Sequence, residues 1–206
     1  EIHERLVGSE MCIRDSDTIE LCGDRVPFGT DLLFESAGVV VGVELCEDLW
    51  VPIPPSSYLV QQGADIIVNL SATNELIGKH SYLLSLVRQQ SARCVAGYVY
   101  ASAGFGESST DLVFAGNSLV VENGSILAES KRFSSTPQLV VSEIDVERLR
   151  TERRVMTSFA KGAWAHGRDA RFIPFVLTDI PLRLTRKVGA FPFVPSCLLY
   201  TSPSPR

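Results

Sequence analysis

Val39-Val-Val-Gly-Val-Glu-Leu-Cys46-Glu47-Asp48-Leu-Trp50 is an apolar run that ends abruptly in a cysteine followed by two acids. The run is short and rich in valine, so it reads as a buried strand. Cys46 stands at the strand's exit, where the chain must turn. Reactive groups collect at such corners because the rigid strand holds them while the loop exposes them. A bare cysteine is most often a small buried hydrophobe, so the case for Cys46 rests on what surrounds it.

Outward from this run the chain alternates. Pro54-Pro-Ser-Ser57 suits the first turn of a helix that continues through Tyr58–Gln62 and ends at Gly63. Asp65-Ile-Ile-Val-Asn-Leu-Ser71 predicts a second strand. His80–Arg93 places Leu83, Leu84 and Val87, and then Cys94, on one helical face. Val95–Ala101 predicts a third strand, followed by Gly104-Phe-Gly106, too short for a dinucleotide fingerprint. Asn117–Glu122 and Ser125–Glu129 flank Asn123-Gly124, a strong hairpin signal. A further strand is expected over Gln138–Ile144, then a charged helix over Asp145–Arg154 capped by Asp145. Strands separated by helices predict a layered α/β domain, and the hairpin predicts a partly antiparallel sheet. After Phe159 glycines and prolines punctuate the chain, which reads as a connecting segment rather than a core element.

The two termini are expected to be foreign to this domain. Ser9–Asp15 can be encoded as TCG GAG ATG TGT ATA AGA GAC. The reverse complement in a shifted frame, with one further base from the Ser16 codon, encodes Cys-Leu-Leu-Tyr-Thr-Ser-Pro, the sequence that begins at Cys197. Residues 1–16 and 197–206 therefore read as one transposon adapter translated from opposite strands. The expected organisation is adapter over 1–16, a partial domain over 17–160, a linker over 161–196 and adapter over 197–206.

Composition narrows the function. A net charge of −5 disfavours nucleic acid as a partner. No apolar run approaches the ~20 residues of a membrane span. Cys22, Cys46 and Cys94, sparse and without CxxC spacing, fit a reducing, cytoplasmic setting. His80 and His166 complete no metal site, and a Cys-His catalytic pair is disfavoured by where they fall. A thiolate nucleophile needs a depressed pKa or a paired base. Adjacent carboxylates oppose ionisation, so Glu47 and Asp48 are not expected to activate Cys46, and one of them is free to bind a substrate ammonium. The backbone N–H of Glu47 is placed to serve as an oxyanion donor. No lysine near Cys46 in sequence supplies the cation; Lys79 is the nearest. Asn69-Leu-Ser71-Ala-Thr73-Asn74-Glu75 forms a pocket wall if the strands lie side by side, although ordinary turn chemistry explains its composition equally well.

Gly42-Val-Glu-Leu-Cys46-Glu47-Asp48-Leu-Trp50-Val-Pro-Ile-Pro-Pro55 resembles the nucleophile region of the nitrilase superfamily. It is most similar to the glutaminase domains of glutamine-dependent NAD synthetases. Asn69–Glu75, Tyr98–Asp111 and Glu122–Ser130 continue the resemblance in order, and Phe191-Pro-Phe-Val-Pro195 resembles the linker into the synthetase domain. The resemblance implies an αββα sandwich, present here in part, and a Glu-Lys-Cys triad in which Cys46 is the nucleophile. It implies that Glu47 and Thr73 contact glutamine, with Trp50 and Ser71 nearby. It further implies that the catalytic glutamate and lysine lie upstream, and that ATP and Mg bind a downstream synthetase domain. No cofactor is expected in this segment, which by itself should be inert. A homo-oligomer is expected. A stand-alone nitrilase-type amidohydrolase and a non-catalytic binding domain are the alternatives.

Overall fold

The computed structural model describes residues 18–107, 111–161, 170–177 and 185–186. The segments expected to be adapter-derived and Phe191–Pro195 lie outside them. The first elements are β1 (Thr18–Leu21) and β2 (Asp24–Pro27), an antiparallel hairpin apart from the main sheet. The sheet comprises β3 (Leu32–Ser36), β4 (Val39–Leu45), β5 (Ile66–Ser71), β6 (Gly97–Ser102), β7 (Ser118–Glu122), β8 (Ser125–Glu129) and β9 (Arg171–Pro174). Their spatial order is β8-β7-β6-β5-β4-β3-β9. The central strands β4, β5 and β6 are parallel, whereas β3 and β7 run antiparallel to their neighbours β4 and β6. The fold is α/β, as the alternation predicts.

The three parallel strands are joined by helices, because a parallel pair needs a crossover. The helix α1 (Pro55–Gln61) links β4 to β5, and α2 (Lys79–Cys94) links β5 to β6. Both pack on one face of the sheet, over Val40, Gly42, Ile67, Tyr98, Leu119 and Val121, with Leu59, Val60, Leu83 and Val87 facing them. Gly42 is what lets α1 approach. A Cβ there would meet Leu59 Cβ at 3.2 Å and Ile67 Cδ1 at 3.0 Å. The opposite face is open along β4 and β5 towards Cys46, where Val43, Leu45 and Leu70 are 37%, 57% and 60% exposed, and covered at β7, where Val120 and Glu122 are buried. Of an αββα sandwich, the described residues thus form one α/β half.

The helix α3 (Val146–Val155) closes the end of the sheet remote from Cys46, and α4 (Thr157–Lys161) follows it. Asp145 caps α3 through a bond from Arg148 N, 2.9 Å. Asp65, at the entry to β5, is the anchor. Its buried carboxylate accepts from Val40 N and from both Nε and Nη2 of Arg150. The hairpin turn holds Asn123 and Gly124 at φ 44° and 79°, as a type I′ turn demands.

Two expectations require correction. Gln138–Ile144 is irregular, not a strand. Its apolar residues pack differently: Ile144 lies over Gly97, while Leu139 and Val141 face solvent. The segment after Phe159 is also more than a connector. Arg171–Pro174 adds the parallel edge strand β9 to β3, and Arg171 grips Asp31. Glu143 accepts from the backbone N–H groups of Thr185 and Arg186, which pin the chain again further on.

Candidate active site

The candidate site lies at the carboxyl ends of the parallel strands, where ligands bind in open α/β sheets. The β4–β5 register ends at Leu45 opposite Leu70, and the β5–β6 register ends at Ser71 opposite Ser102. Cys46, Ser71 and Ser102 therefore follow one another across the three strand exits, with neighbouring strands about 4.8 Å apart.

Cys46 opens a 3-10 turn, Cys46–Trp50, and has φ 43°. A left-handed conformation at a non-glycine residue is uncommon and persists where the surroundings impose it. Here they do. Asp48 folds back so that its Oδ2 accepts from Leu45 N at 2.8 Å, and Leu49 is buried in the core. Trp50 then packs against Tyr82 of α2, ring centroids 5.5 Å apart, while the Lys79 ammonium lies 5.3 Å over its ring. That ammonium also donates to Asn74 Oδ1 at 2.8 Å. Lys79, far from Cys46 along the chain, is thus brought by the fold against Trp50 and Asn74.

The β5 exit is tied to β6. Thr73 N donates to Ser102 Oγ at 3.2 Å, and Tyr100 OH donates to Thr73 Oγ1 at 3.0 Å. Glu75 is held by Arg132 at 3.0 Å. Of the expected site residues, Ser71 and Thr73 converge with Cys46 at the strand exits. Trp50 is the buttress of the turn, and Glu47 is exposed on it. Asp48 is tied through Oδ2 to the turn's own backbone, whereas Glu47 is exposed.

Below this row lies a group that the sequence reading missed. Glu44, 2% exposed, accepts from Ser56 N at 2.9 Å, from Asn69 Nδ2 at 3.5 Å and from the Tyr98 hydroxyl. Burial, and then the Glu44 carboxylate, drives the Tyr98 pKa upward, so Tyr98 is a neutral donor. A buried acid in an otherwise apolar strand is the signal that marks it, since such a group must find partners. The described residues contain no cluster of three or more His, Cys, Asp or Glu able to hold a metal ion, and no helix long and apolar enough to cross a membrane.

Comparison with known proteins adds to this geometry. The family model for carbon-nitrogen hydrolases matches residues 3–154, beginning inside the segment read as adapter. The glutamine-dependent NAD(+) synthetase of Mycobacterium tuberculosis strain H37Rv is 44% identical over 188 residues, which is 87% of this chain and 28% of that protein. That of Saccharomyces cerevisiae is 30% identical over 174 residues, 84% of this chain and 23% of the other. Among solved structures, a glutamine-dependent NAD(+) synthetase from Cytophaga hutchinsonii superposes with a TM-score of 0.52 at 26% identity, covering 60% of this chain and 19% of that one. The chain thus spans under a third of the length of these relatives.

Proposed function

The chain belongs to the carbon-nitrogen hydrolase family, and we propose that it is the glutaminase part of a glutamine-dependent NAD synthetase. The observation that carries this is Cys46, held left-handed at a parallel strand exit beside Ser71 and Thr73, in a chain 44% identical to such a synthetase over 188 residues. Cys46 Sγ attacks the glutamine amide carbon, and the Glu47 N–H receives the developing oxyanion. The C–N bond breaks, the thiol proton leaves with nitrogen as ammonia, and water hydrolyses the thioester to glutamate. Glu47, Trp50, Ser71 and Thr73 form the pocket around the substrate.

Residues 17–160 are the partial glutaminase domain, and 161–196 lead towards a synthetase domain. There, ATP and Mg activate nicotinic acid adenine dinucleotide, and the ammonia released at Cys46 amidates it to NAD. The general base and the cation that stabilises the transition state lie upstream of residue 17, so the chain by itself is inert. We place the parent protein in the cytoplasm as a homo-oligomer. In the full-length protein, Cys46→Ala should abolish NAD formation from glutamine and leave formation from ammonium intact. Loss of both activities, or of neither, refutes the assignment. Glutamine hydrolysis by the 206-residue chain would refute its inertness.

A further inference from the structure

We infer that Glu44 is a positioning residue that fixes the hydrogen-bond polarity of Ser71, so that the pocket beside Cys46 accepts a hydrogen bond from an N–H of the ligand. The inference deepens the reading of Cys46 as the nucleophile of an amide-cleaving site and rests on it.

Ser56 N can only donate, and it occupies Glu44 Oε2 at 2.9 Å. Glu44 Oε1 faces Asn69 and the Tyr98 hydroxyl. Turned the other way, the Asn69 amide would set its carbonyl oxygen against the carboxylate with no hydrogen between them, so Nδ2 must face Glu44. Asn69, fully buried, then has its Oδ1 directed at Ser71, whose hydroxyl donates to it at 2.7 Å. A hydroxyl has one hydrogen. With that hydrogen spent, Ser71 offers only lone pairs, and among the described residues no protein donor fills them. Ser71 follows Leu70, the register partner of Leu45, and so stands one strand away from Cys46. An acceptor there suits the NH2 of a carboxamide undergoing attack at Cys46 and disfavours an ester or ketone in the same pose.

Glu44→Gln should invert this polarity. The introduced amide must keep its oxygen towards Ser56 N, which puts its NH2 against Asn69. Asn69 then turns over, donates to Ser71, and releases the Ser71 proton to the pocket.

The test alkylates the 206-residue chain with chloroacetamide or with chloroacetone and reads each cysteine by peptide mass mapping. In both reactions the sulfur displaces chloride from the CH2 carbon, and the thiol proton goes to solvent. Exposed Cys22 corrects for the intrinsic reactivity of the probes, and buried Cys94 reports an intact fold by remaining unmodified. Relative to Cys22, Cys46 should favour chloroacetamide roughly fivefold, the value of one neutral hydrogen bond. Ser71→Ala should remove that preference, and E44Q should turn it towards chloroacetone. Asn69→Ala reaches the same end without touching the carboxylate, should E44Q fail to protect Cys94. A Cys46 that reacts with no amide preference overturns the inference alone. A preference that survives E44Q, or N69A where E44Q unfolds, overturns the role of Glu44. If Cys46 resists both probes while Cys22 reacts, Ser71 governs no ligand at that sulfur and the inference fails; the nucleophile reading is then decided separately by Cys46→Ala in the full-length protein.

Discussion

Cysteine chemistry in this chain is decided by position, residue by residue. Cys46 sits half-exposed on a turn whose conformation is imposed by Asp48, Leu49 and Trp50. Cys94 ends α2 inside the core, beside Gln90 and Ser56. Burial first, and the nearby Glu44 carboxylate second, push the Cys94 thiol from its ordinary 9.0 to about 11. The native state therefore holds that proton between pH 9 and 11, while the unfolded state releases it. Stability should fall by about 2–3 kcal/mol across that window and level off above it. Denaturant titrations at pH 8, 9.5 and 11 would show the drop, and it should vanish in Cys94→Ala, which starts from a lower baseline. Asp48→Ala removes the acceptor that folds the turn back on Leu45. It should cost about 1 kcal/mol, as the loss of a cap does, and should raise amide exchange at Leu45 specifically. The placement of Cys46, Ser71 and Thr73 at strand exits was legible in the sequence because a strand exit can be read locally. Glu44, Lys79 and Ser102 were not, since their roles arise from partners on other strands and helices.

At the scale of elements, the strands and helices around Cys46 follow from local signals: valine runs, paired prolines, one amphipathic face and Asn123-Gly124. β3 and β9 escaped because both are short and mixed in pattern, and their identity is fixed by each other's register. Gln138–Ile144 misled because the apolar run Leu139–Val141 suits a strand, yet Leu139 and Val141 face water and only Ile144 packs on the sheet. Two contacts hold the elements in place, and each can be tested. Asp65→Ala would leave Arg150 without its bidentate partner, deprive Val40 N of its acceptor, and strip the nearest charge from the largely buried Arg153, 3.8 Å away. Arg150 keeps access to water, so the loss falls on Val40 N and Arg153; leaving such buried groups without their partner costs about 1–3 kcal/mol, and D65A should lower the urea midpoint more than a surface substitution. Gly42→Ala would push Leu59, and with it α1, off the sheet. Overpacking of this kind costs about 1–3 kcal/mol. Because α1 carries Ser56 N to Glu44, G42A should also disturb the strand exits, visible as altered alkylation of Cys46 in protein that still protects Cys94.

The whole molecule is asymmetric about its sheet. One face is sealed by α1 and α2 around Ile67, Tyr98, Tyr100, Leu83 and Val87, all nearly inaccessible. The other presents Val43, Leu45 and Leu70 near Cys46, while Ile144 crosses it at Gly97 and Val120 and Glu122 of β7 are buried on it. Contiguous apolar surface on this scale marks a site of further contact in soluble proteins. Because β4 and β5 are neighbours, these side chains form a band running up to the Cys46 turn, so whatever covers the band also borders the site. A second layer against this face would both remove the apolar surface from water and bring groups to Cys46 from the side that Ser71 and Thr73 leave open. The chain by itself should then bind an environment-sensitive dye such as ANS in the native state, with Cys94 protected throughout. Val43→Thr with Leu70→Thr should cut that signal at least by half without lowering the urea midpoint, since neither side chain is buried in the described residues. Full-length protein should show little native dye binding, and in it the same pair of substitutions should lower the midpoint. A dye signal that is absent from the chain, or unchanged by the double substitution, would mean that the open face is not the surface that awaits a partner.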